Sequence, residues 1–146
     1  MPIVRPGEGE DIRNPVGGDA TVLLRGEHTS GTFAALEVVI APGTGPPLHI
    51  HPDAEESIYV LEGDMRWRLG DEVQDTPPGS LVFVPRGVPH CFQNAGERPG
   101  RMLVMFLPSG MEGFFDLMRD ATGYDPEAFR RAAAEVGMEV VGPPLG

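Results

Sequence analysis

His49 and His51 stand one residue apart, Glu56 follows after four more, and a third histidine, His90, comes much later in the chain. Imidazoles and a carboxylate are what a borderline divalent ion accepts as ligands. On a strand, positions i and i+2 share a face, so His49 and His51 can present two imidazoles together. Glu56 can return to that face across a turn through Pro52-Asp53. His90 sits on another strand-like stretch, behind a corner containing Pro85, Gly87 and Pro89. Three neutral imidazoles and one carboxylate leave a divalent ion with about one net positive charge, suited to an enolate, phenolate or carboxylate oxygen. An octahedral ion would keep two positions for water or substrate. Iron, manganese, nickel, cobalt and zinc all accept such a set, so the expectation is one divalent ion of unspecified identity per chain. A loosely held Glu56 could also serve as the catalytic base toward a substrate hydroxyl.

Each residue has a plainer reading. A histidine in an apolar strand is usually structural, and a pair at i and i+2 could lie on the surface. Glu55 competes with Glu56 for the ligand position. His28 precedes Thr29-Ser30-Gly31 and reads as a surface turn residue. Cys91 adjoins His90 and so faces away from it, as a small packed hydrophobe. Met65, Trp67 and Leu69 share one face of a strand and read as core that could also border a cavity, with Arg66 and Arg68 on the solvated face.

The elements that must position these residues are short strands. Residues 22–24, 33–40, 48–51, 57–61, 65–69, 81–84, 90–93 and 102–107 are apolar or alternating and separated by Gly- and Pro-containing turns. Such spacing predicts an antiparallel sandwich or barrel. Met111, Phe114, Phe115 and Met118 then fall at i, i+3, i+4 and i+7, a helical stripe. Asp125-Pro126-Glu127 starts a second helix running to about Glu135 and stopped by Gly137, with Ala128, Phe129, Ala132 and Val136 as its buried side. The expected organisation is an N-terminal arm over 1–20, a barrel over 21–108 and a helical extension over 109–146 packed on the barrel.

Composition narrows the partners. The chain has 146 residues and 40% apolar content, enough for one core. Eleven basic residues against 22 acidic ones give a net charge of −11, which argues against nucleic acid and anionic membrane surfaces as partners. One cysteine allows no intrachain disulfide, and the acidic start MPIVRPGEGEDIRNP has no apolar leader, so a cytoplasmic location is expected.

Two motifs carry a family resemblance. Gly43, His49, His51, Glu56 and Gly63 stand at the intervals of the first cupin motif, and Gly79, Pro85, Gly87, His90 and Asn94 at those of the second. The chain resembles a single-domain bacterial member of the cupin superfamily. That resemblance implies an all-β antiparallel double-stranded β-helix, or jelly-roll barrel, with a short C-terminal helical extension. It also implies a metal inside the wider end on His49, His51, Glu56 and His90, and a homodimer. The stretches from His49 to Gly63 and from Pro77 to Asn94, with the tail, further resemble small quercetinase-like cupins. This implies a dioxygenase acting on a small enol or phenol such as a flavonol, with dioxygen as co-substrate. Two other readings remain: a redox-neutral metal-dependent cyclase, isomerase or lyase, and a non-enzymatic barrel binding a small ligand.

Overall fold

The computed structural model describes residues 2–146. Ten strands come first: β1 (Glu10–Arg13), β2 (Asp19–Leu24), β3 (Ala34–Ile40), β4 (Pro47–Ile50), β5 (Glu55–Glu62), β6 (Met65–Leu69), β7 (Glu72–Thr76), β8 (Leu81–Val84), β9 (His90–Asn94) and β10 (Gly100–Leu107). Two helices follow, α1 (Glu112–Leu117) and α2 (Pro126–Glu135), and a last strand, β11 (Glu139–Pro144). The strands form two sheets, ordered β1-β2-β3-β10-β5-β8 and β11-β4-β9-β6-β7. Every pairing is antiparallel. This is the antiparallel sandwich that the strand spacing predicts, in the jelly-roll form that the cupin resemblance implies. It is built as two facing sheets with separate edges rather than as one sheet hydrogen-bonded around into a closed barrel.

Alternation decides which side chains face inward. On β10, Met102, Val104 and Phe106 are buried, while Arg101 turns outward to bond Glu37 of β3 and Glu62 of β5. On β6, Met65 and Trp67 enter the core and Arg66 pairs with Asp75 on β7. The β5–β6 turn requires its glycine: Gly63 has φ +98°, and a side chain there would meet the backbone of Gly100.

The strand-like stretches read from the sequence all become strands, with ends moved by a few residues. Three strands lie outside them. β1 falls within the N-terminal arm and pairs with β2 of the same chain. β7, with sequence EVQDT, is exposed at four of its five positions and so shows no apolar alternation. β11 contains Gly142, Pro143 and Pro144, residues that argue against a strand in the sequence. It lies at a sheet edge beside β4, where a missing N–H costs no ladder bond.

The helices follow their signals closely. Asp125 caps α2 by accepting from the N–H groups of Glu127 and Ala128, Pro126 occupies the first turn, and Gly137 leaves the helix with φ +78°. The buried face of α2 is Phe129, Ala132 and Ala133, so the face is rotated slightly from the expected one, with Ala128 and Val136 half-buried. Phe114 of α1 packs edge-on against Phe129, ring centres 4.8 Å apart. Among the described residues, no helix is long and apolar enough to cross a membrane.

Candidate metal centre

Both sheets contribute to one point. His49 on β4 and His90 on β9 are direct cross-strand partners. His51 follows one residue past the end of β4. Glu56 reaches in from β5 on the opposite sheet, between Phe106 of β10 and Val84 of β8. The four residues expected to act together are therefore brought together, each at most 5% exposed. Ligand atoms of the three histidines lie within 4.8 Å of one another. Glu56 Oε2 stands 3.2 Å from His90 Nε2 and 3.9 Å from His51 Nε2.

Hydrogen bonding orients the rings. His49 Nδ1–H donates to the Pro47 carbonyl at 2.7 Å, and His90 Nδ1–H donates to the Val88 carbonyl at 2.9 Å. A carbonyl only accepts, so each contact fixes a proton on Nδ1 and turns Nε2 toward the interior. Burial lowers the basicity of His49, reinforced by neighbouring His90 and His51. Burial, and then His90, hold the His51 pKa at about 3. Both imidazoles are thus neutral near pH 7, the form that ligates a metal.

Several buried polar atoms meet here. Among the described residues, neither His90 Nε2 nor Glu56 Oε2, 3.2 Å apart, has a hydrogen-bond partner. Both ring nitrogens of His51 are buried without partners as well. Leaving one buried polar atom unpaired costs about 1–3 kcal/mol, and several converge here. A cation at their meeting point would satisfy the unpaired ring nitrogens and the carboxylate together. The donor set therefore fits a divalent ion.

The surroundings are apolar. A cavity of about 60 Å³ touches His49, His51 and Glu56 and is walled on the barrel side by Phe92 and Phe106. Its other wall is the C-terminal segment: Met111, Phe114, Phe115, Phe129 and Met138. The Phe114–Phe115 stripe therefore borders the site as well as packing in the core. Asn14 also lines the cavity, but its amide donates to the Val39 carbonyl and accepts from Val16 N–H.

The competing residues are elsewhere. Glu55 is ion-paired with Arg86 at the surface. His28 lies in a short 3-10 turn, its Nδ1 accepting from Arg25 N–H. Cys91 is buried, which pushes its thiol pKa up and makes it less reactive. Trp67 stacks parallel to His90 with ring centres 6.3 Å apart, so it backs the site as packed core. Asn94 does more than make a turn: fully buried, it donates to the Ile40 and Arg98 carbonyls and accepts from Gly96 N–H. The part of Met138 and Phe129 in the cavity wall had no signal in the sequence, because a helical stripe shows that a face is buried but not against what.

The chain is similar to several known proteins. A family model for the cupin domain matches residues 36–106, which span both motifs. Quercetin 2,3-dioxygenase from Bacillus subtilis (strain 168) is 33% identical over 97 residues, 66% of this chain but only 28% of that enzyme's length. Protein SchB from Streptomyces halstedii is 32% identical over 93 residues, covering 63% of this chain and 67% of that one. Among solved structures, the polyketide cyclase RemF from Streptomyces resistomycificus superposes with TM-score 0.64 at 28% identity, covering 75% of this chain and 80% of that one.

Proposed function

This chain belongs to the cupin family, and we propose on that footing that it is a metal-dependent enzyme, a dioxygenase acting on a small enol or phenol substrate such as a flavonol. The observation that supports it is the convergence of unpaired His51, His90 and Glu56 atoms at one point, beside an apolar cavity that His49, His51 and Glu56 line. In this reading His49, His51, Glu56 and His90 hold one divalent ion per chain. When bound, the ion supplies Lewis acidity that stabilises negative charge on a substrate oxygen.

The protein groups have distinct tasks. The Pro47 and Val88 carbonyls hold the His49 and His90 rings in one tautomer, so that their Nε2 atoms stay directed inward. Glu56 Oε2 has no hydrogen-bond partner and is the base that takes the proton from the substrate hydroxyl. Phe92, Phe106 and Phe114 keep water out, which strengthens electrostatic effects at that oxygen. The test is dioxygen uptake by protein reconstituted separately with iron, nickel, cobalt, manganese or zinc and offered a flavonol. Uptake with a redox-capable ion, lost in His51→Ala, is the expected result. Equal turnover without dioxygen would refute the oxygenase reading.

A second reading has its own support. RemF, a polyketide cyclase, matches over four-fifths of its length, whereas the match to the Bacillus dioxygenase covers barely a quarter of that protein. A redox-neutral cyclisation of a phenolic polyketide would use the same groups, with Glu56 again moving the proton. Anaerobic turnover of such a substrate by the zinc form would favour it.

The same proposal assigns residues 109–146 as the cover of the barrel and a cytoplasmic setting supported by the single buried cysteine. It also assigns a homodimer. Tyr59, Leu81 and Phe83 form an exposed apolar patch at the β5–β8 edge that a second copy would cover. A monomer in light scattering at micromolar concentration would contradict the dimer.

A further inference from the structure

The cavity beside His49, His51 and Glu56 is too small for the substrates just proposed. Its volume of about 60 Å³ is well below the roughly 300 Å³ or more of pockets for drug-sized ligands. A second cleft, of about 160 Å³, opens to the surface between Pro52, Ala54, Gly110 and Gly137. Two residues line both spaces: His51, one of the four, and Met111. Met111 is 6% exposed and stands at the start of α1. Its unbranched thioether side chain has three rotatable bonds, so it can change shape at little cost. The α1 backbone beside it is held firmly, because Glu112 accepts from both Gly26 N–H and Gly110 N–H. The movable barrier between cleft and cavity is therefore the Met111 side chain rather than the helix.

The lining also limits ligand charge. The inner cavity is bordered by no arginine, and the chain contains no lysine at all. Asn14 has its amide oxygen and one of its two amide N–H groups engaged with backbone. A ligand there finds mainly aromatic and thioether walls and, beyond His49, His51 and Glu56, no charged side chain to bind it.

We infer that Met111 is the gate of this site, and that the ligand it admits is a flat, largely apolar ring compound with at most one negative charge, lying across both spaces. The inference rests on the metal-centre reading above and adds the size and charge class of its substrate. The test uses isothermal titration of the zinc-loaded protein with three probes: azide, which is small enough for the inner cavity, 3-hydroxyflavone, and oxalate. Met111→Ala is expected to bind 3-hydroxyflavone about fivefold or more tighter, and Met111→Trp at least tenfold more weakly, with azide affinity held within about twofold in both. Oxalate is expected to bind the wild type more weakly than 3-hydroxyflavone. Circular dichroism and zinc content verify folding, and if the Met111→Trp chain does not fold, the Met111→Ala arm decides alone. Azide and flavone affinities that change in parallel, or do not change, would overturn the gate. Tighter binding of oxalate than of the flavone, or no flavone binding, would overturn the ligand class. Failure of the wild type to take up zinc is a separate outcome that overturns the metal-centre reading and this inference with it.

Discussion

Two glutamates, Glu56 and Glu112, are almost equally buried, at 5% and 7% exposed, and their surroundings are opposite. Glu112 lies in the first turn of α1, where a carboxylate complements the helix dipole. Both its oxygens accept backbone N–H bonds, one from Gly26 and one from Gly110. Beside it, Arg25 bonds both oxygens of Asp116, tying α1 to the end of β2. Glu56 instead leaves Oε2 unpaired among imidazole nitrogens that are also unpaired. Burial of a carboxylate thus does not mark a functional site. What distinguishes Glu56 is unused acceptor capacity at a point where several imidazole nitrogens meet, and on the proposed reading this separates a structural latch from a candidate metal centre within one small chain.

The largest effect that would sharpen this contrast comes from the ion itself. At a metal concentration a thousandfold above its Kd, binding stabilises the fold by about 4 kcal/mol, so a chelator should lower the thermal midpoint by several degrees or more. Calorimetry with and without chelator reads this directly, and an unchanged midpoint would remove the distinction between the two glutamates.

Next in size is Glu56→Gln. It should weaken zinc binding about a hundredfold, since one ligand loses its charge. Without metal, the midpoint should hold or rise, because a glutamine amide can donate to an unpaired imidazole nitrogen. Competitive titration against a chromophoric chelator and a melt of the metal-free protein supply both halves.

Glu112→Ala should do the reverse. Losing the acceptor for two backbone N–H groups costs about 1–3 kcal/mol. Metal stoichiometry should stay unchanged, and a loss of bound zinc would show the latch and the centre to be one unit.

The smallest effect concerns pH. The Arg25 hydrogen bond, together with its charge, holds the Asp116 carboxyl below its ordinary range. A carboxyl with a lowered folded-state pKa stabilises the fold above its unfolded value of about 3.9, and that contribution is lost as the pH falls below it. Asp116 has a side chain 37% exposed, so solvent screening limits the gain to under about 1 kcal/mol. Asp116→Asn should flatten the acid limb of a stability–pH curve below about pH 4 while moving the neutral midpoint little. An unchanged acid limb would show that the pair contributes nothing.

The meeting of His49, His51, Glu56 and His90 was legible in the sequence because strand periodicity sets which side chains face inward. His49 and His51 at i and i+2 must share a face, and Glu56 keeps the inward phase of β5 while Glu55 turns out to Arg86. The helices were legible because Asp125, Pro126 and Gly137 are local signals whose physics does not depend on the rest of the fold. What was not legible depends on partners distant in sequence. β11 pairs with β4 despite its prolines because it happens to lie on an edge. β7 is held by register against β6 rather than by any apolar pattern of its own. Met111 reads as one member of a helical stripe, and nothing local shows that the turn after β4 passes beside it, leaving it between the cavity and the surface cleft.

The most direct test of the central claim is equilibrium dialysis of the purified chain and its His90→Ala variant against zinc, with bound metal counted per chain. If His49, His51, Glu56 and His90 form one centre, the wild type binds one ion per chain and the variant, with a completely buried ligand removed, binds none at the same concentration. No bound zinc in the wild type, or equal binding by the variant, would contradict the account.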